Sequence, residues 1–112
     1  MDTLQDMVAA IDRALPLCEA VAKDPDDLDA RRALTVALAE IADESFLATC
    51  DQAAPAHRGL CNFARIQSML LRDCMTRSDE PKPVVAFMIV SKSRDLLALL
   101  PELKKAIDRS AV

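Results

Sequence analysis

The sequence predicts an all-α protein: an antiparallel four-helix bundle of up-down-up-down topology, with residues 1 to 112 forming a single domain. Three observations lead there. The chain holds one Gly, no Trp, no Tyr and three Phe, so it lacks the residues that tight hairpin turns and pleated cores favour. Hydrophobic residues make up 52% and charged residues 29%, which supplies a core and excludes a disordered tail. Prolines at positions 25, 55, 81 and 83 divide the chain into four stretches, and proline fits the first turn of a helix far better than its interior.

The first helix is expected over about residues 3 to 23. Thr3 with Asp6 three residues later resembles a capping box, and Leu4, Val8, Ile11, Leu15, Cys18 and Ala22 repeat at the spacing of a buried stripe. Pro16 falls opposite that stripe, where water satisfies the carbonyl it frees. The second helix is expected to take Asp24 as its N-cap and Pro25 as its first residue, with Asp26, Asp27 and Asp29 complementing the positive end of the helix dipole. It should run to about Cys50 and bury Leu34, Ala37, Leu38, Ile41, Ser45 and Ala48. The stretch from Asp24 to Leu34 resembles a joint between tetratricopeptide repeats, but a 34-residue period places the next proline at Gly59, so the repeat fails.

The third helix should start at Pro55 and end near Arg77, with Leu60, Phe63, Leu70, Leu71 and Cys74 inward and Gln67 at the centre of that face. A buried Gln needs a hydrogen-bond partner. The opposite face reads Arg58, Asn62, Arg65, Met69, Arg72 and Thr76, a basic stripe containing a methionine. The fourth helix, after a longer loop at Ser78 to Pro83, should run from Val84 to about Arg109. Val84 to Val90 also fits a short strand, but a lone strand has no partner. Its expected seam is Val85, Ile89, Ser93, Leu96, Leu100, Leu103 and Ile107. Phe87, Val90 and Leu97 lie on another side, a second apolar group that suits a contact with a partner or a second copy of the chain.

Charge is unevenly distributed. Residues 1 to 56 hold 4 basic and 12 acidic side chains, and the remainder 10 basic and 6 acidic, for a net −4. An acidic chain is a poor ligand for bulk nucleic acid. The longest uncharged apolar run, Pro83 to Val90, falls far short of the ~20 residues of a membrane span. The N-terminus lacks the basic start and apolar stretch of a secretory signal. The expected compartment is therefore the cytoplasm, where four cysteines are expected as reduced thiols. The topology brings Cys18 near Cys74 at one end and Cys50 near Cys61 at the other. Cys18 and Cys74 are expected to be buried, and Cys50 and Cys61 to point away from the core.

Chemistry-bearing clusters are few. Cys50, His57 and Cys61 are the only ligand types at usable spacing, and a zinc site needs a fourth ligand. Ala56, His57 and Arg58 resemble the opening of the motif of histidine phosphotransfer domains, small four-helix bundles, which would imply phosphate transfer through His57. Gly59, Leu60 and Cys61 stand where that motif has Leu, Lys and Gly. No phosphate loop, nucleophile elbow or paired-histidine zinc motif occurs. The expected function is therefore that of a non-enzymatic protein-interaction module without a cofactor, binding a protein partner or a second copy through Phe87, Val90, Leu97, Arg58, Arg65, Met69 and Arg72. A phosphotransfer-like or metal-binding bundle is the alternative.

Overall fold

Thr3 caps the first helix, α1 (Leu4–Lys23), as expected. Its hydroxyl accepts from the Asp6 backbone N–H at 3.1 Å, and the Asp6 carboxylate accepts from the Thr3 N–H at 3.1 Å. Both donors belong to the helix start, which leaves them unpaired otherwise. The structure, a computed structural model, describes residues 3–53, 55–76 and 82–110. After α1 come α2 (Leu28–Ala42), α3 (Glu44–Ala53), a 3-10 turn over Pro55–His57, α4 (Arg58–Thr76) and α5 (Lys82–Ser110). No strand occurs among the described residues, and Val84 to Val90 is helical. Most of the loop expected at Ser78 to Pro83 lies outside the described residues.

Where four helices were expected there are five α-helices among the described residues, because the second breaks at Asp43. Asp43 is extended (φ −69°, ψ 144°), and its carboxylate accepts from the Ser45 N–H at 3.0 Å, so it caps α3. That hydrogen bond is the first cause holding its carboxyl below the ordinary value of 3.8. The reason for the break is Phe46. On a straight continuation it would stand about 140° from Ile41 around the axis, whereas the turn at Asp43 brings it to full burial. The start of α2 also moves. Asp24 closes α1, accepting from Asp26 N–H in a local turn, and Asp27 is the N-cap, accepting from Ala30 N–H at 3.2 Å.

One apolar cluster draws on all five helices. Helix α1 packs on α2 and α5, α4 packs on the same two, and α3 lies against α4. Two hydrogen bonds fix the relation of α2 to α4: Arg31 donates to the Met75 carbonyl at 2.9 Å and Arg65 to the Ala42 carbonyl at 3.3 Å. The start of α2 thus meets the end of α4, so the two run antiparallel. Lys104 of α5 donates to Asp12 of α1 at 2.7 Å, joining the basic and acidic halves as the charge split suggests, while Arg13 of α1 meets Glu40 of α2 within the acidic half.

The α5 seam is buried at all seven expected positions, and Leu34, Ala37, Leu38 and Ile41 are buried on α2. Ser45 is half-buried and Ala48 exposed, because they follow the break. On α1 the buried set is Met7, Ala10, Ile11, Ala14, Cys18 and Val21, while Leu4, Val8 and Leu15 sit at its edge. A helix wedged between two neighbours buries a wider face than a single stripe.

Candidate interaction surface

Helix α4 faces inward differently from expectation. It buries Cys61, Ala64, Ser68, Leu71, Cys74 and Met75, a face turned by about 70° from the expected one. Leu60 is half-buried, and Phe63 and Leu70, expected inside, are exposed. Small residues at the contact let α4 approach both neighbours closely. The large apolar side chains Phe63, Ile66, Met69 and Leu70 consequently keep 40 to 50% of their surface in water. They are four of the eight large hydrophobic residues exposed among those described.

This face continues onto α2. A groove of about 380 Å³ is lined by Leu28, Arg31, Arg32, Thr35 and Val36 of α2 and by Met75 and Thr76 of α4. A second depression, bounded by Met69, Leu70, Arg72, Asp73 and Thr76, shares Thr76 with it. Val36 is 71% exposed and Leu28 58%, so the apolar surface runs from the start of α2 across the seam to the outer ridge of α4.

The expected basic stripe divides by role. Arg58 pairs with Asp51, and Arg65 donates to the Ala42 carbonyl and to Asn62 Oδ1, so both guanidiniums serve the fold. Arg72 lies two helical turns beyond Arg65 on the same side of α4. It is half-buried, and its Nε has no acceptor among the described residues. Met69 stands exposed between them. On α2, Arg32 is exposed, while the acids Asp29 and Glu40 lie outside the groove lining and Glu40 is held by Arg13. Gln67 is half-buried, and its Oε1 has no partner among the described residues.

The second apolar group on the last helix does not stay together. Phe87 is 74% exposed, but Val90 and Leu97 are half-buried, and Leu97 packs against the core of its own chain. Val90 and Leu97 are therefore partly covered within the chain, and Phe87 is the exposed member of the three.

The cysteines depart furthest from expectation. Cys50 and Cys61 are fully buried and joined by a disulfide with Cα atoms 6.8 Å apart, fastening α3 to α4 across the Pro55–His57 turn. Both were expected reduced and turned outward. Their inward orientation follows from the two corrections above, the break at Asp43 and the rotation of α4. Cys18 and Cys74 are free and buried as expected, and burial pushes the Cys18 thiol up to about 12. The bond consumes both thiols that a Cys50, His57, Cys61 metal site needs, and no group of three metal-ligating side chains is assembled among the described residues. His57 closes the 3-10 turn before α4 begins and is half-buried. It therefore stands just outside α4.

No protein-family model matches the chain. No curated protein and no solved structure is significantly similar to it.

Proposed function

We propose that the chain is a non-enzymatic helical interaction module whose contact surface is the outer ridge of α4 and the adjoining α2–α4 groove. We read the architecture as an up-down-up-down bundle in a single domain, with its second helix broken at Asp43. One observation carries the reading: α4 turns Cys61, Ala64 and Ser68 inward beside Leu71 and Met75, and leaves Phe63, Ile66, Met69 and Leu70 about half in water. A helix selected only for its own core would do the reverse. Covering these half-exposed side chains returns about 1 kcal/mol each, and a contiguous apolar patch edged by charge is the ordinary form of a protein contact site. No helix among the described residues is long and apolar enough to cross a membrane. The Cys50–Cys61 bond favours a compartment that keeps thiols oxidised over the cytoplasm.

The test is the double variant Ile66→Asp/Met69→Asp in an affinity purification from the native host, partners being identified by mass spectrometry. The variant should keep its helical circular dichroism and lose a partner that the parent chain retains. A variant that folds and keeps every partner contradicts the reading.

A further inference from the structure

Resting on that reading, the geometry points to the occupant of the α2–α4 groove: an amphipathic helix with acidic flanks, contributed by another protein. The groove runs between two antiparallel helices, and from Leu28 to Val36 along α2 it is about 12 Å long, roughly two helical turns. A trough of that kind takes a third helix, whose apolar residues at i, i+3 or i+4 and i+7 fill it from above. Leu28, Val36 and Met69 supply the apolar walls.

Charge determines which helix. Arg31 and Arg32 stand on the α2 wall and Arg72 on α4, against one carboxylate, Asp73. Arg32 is exposed on the α2 wall, and an exposed guanidinium is suited to a carboxylate brought by a ligand, which it binds in a planar, directional manner. A second copy of the chain fits less well. A two-fold pairing of this face on itself sets the arginines of one copy against those of the other.

The probe is a fluorescein-labelled 16-residue peptide, capped at both ends, with a leucine stripe at helical spacing and glutamates on its flanks. A second peptide carries lysine in place of each glutamate. Fluorescence anisotropy at 50 mM salt should show the acidic peptide binding at least 10-fold more tightly than the basic one, with affinity falling as salt rises. Arg32→Glu/Arg72→Gln should lower that affinity at least 10-fold, and the exposed single change Arg32→Glu should lower it by a smaller factor, with unchanged circular dichroism. Amide chemical shifts should move on α2 and α4. Equal binding of the two peptides, no binding, or shifts confined to other helices overturns the assignment. So does tighter binding to phosphatidylserine vesicles, or self-association that Arg32→Glu abolishes. If the acidic peptide fails while Ile66→Asp/Met69→Asp still loses an identified partner, the acidic helix falls and the interaction surface stands. If that variant keeps all its partners, both fall.

Discussion

Removing the Cys50–Cys61 bond should weaken the fold by an amount set by the loop it closes. The bond spans 11 positions in sequence, and a loop of about that size lowers the entropy of the unfolded chain by about 9 cal/mol/K, equivalent to about 2.8 kcal/mol at 25 °C. For a chain of 112 residues, unfolding entropy is about 0.24 kcal/mol/K, so the melting temperature should fall by about 12 °C. Cys50→Ala/Cys61→Ala is the right perturbation, because serine would leave buried hydroxyls without partners. Urea melts followed at 222 nm, with and without a phosphine reductant, should show the parent chain refolded under reductant losing nearly what the double alanine variant loses. The variant itself should not respond to reductant. Cys18→Ala/Cys74→Ala removes free thiols and must retain the full response. A parent chain whose stability is unaltered by reductant, or a loss below about 1 kcal/mol, would refute the claim that this bond fastens α3 to α4.

Substitutions elsewhere separate surface from core. Met69→Asp alone should change stability by no more than about 0.5 kcal/mol, while Phe46→Ala should cost about 3 to 5 kcal/mol, both read from denaturant melts. Asp43→Ala should destabilise the protein through loss of the α3 cap. Because the folded carboxyl titrates below its ordinary value of 3.8, that difference should be complete above this pH and fade as acid protonates the group in the folded state; melts from pH 7 downward check it. Iodoacetamide should modify neither Cys18 nor Cys74 in native protein at pH 8 and both after denaturation, since burial keeps the Cys18 thiol protonated until about 12.

The last helix was fully legible because its seam is made of large residues interrupted by one serine, so period and size agree. On α4 they disagree. Period alone permits several faces when apolar residues cover more than half the circumference, and choosing the face by size selected Phe63 and Leu70 where the fold uses Cys61, Ala64 and Ser68. The sequence carried a sign of this, since Cys61 and Cys50 lie close enough along the chain for a bond that turns both inward. Asp43 was hidden for a similar reason: Ile41, Ser45 and Ala48 continue the α2 spacing smoothly, and only the misfit of Phe46 reveals the break. Of the expected contact residues, Met69 and Arg72 line a depression on α4, Arg58 and Arg65 are occupied by bonds within the chain, and Leu97 belongs to the core margin. Hydrogen bonds to main-chain carbonyls, such as that of Arg65 to Ala42, depend on how two distant helices meet, and no local pattern encodes them.

Site-specific photo-crosslinking tests the contact surface most directly. Ile66 is replaced by a benzophenone-bearing phenylalanine, and in a parallel chain the same group replaces Glu19, on the exposed side of α1. Irradiation in the native host should give a discrete protein adduct from position 66 and none from position 19, and Arg32→Glu in the same chain should diminish it. Adducts of equal yield from both positions, or none from position 66 in a folded chain, would contradict the assignment of α4 as the surface through which this protein works.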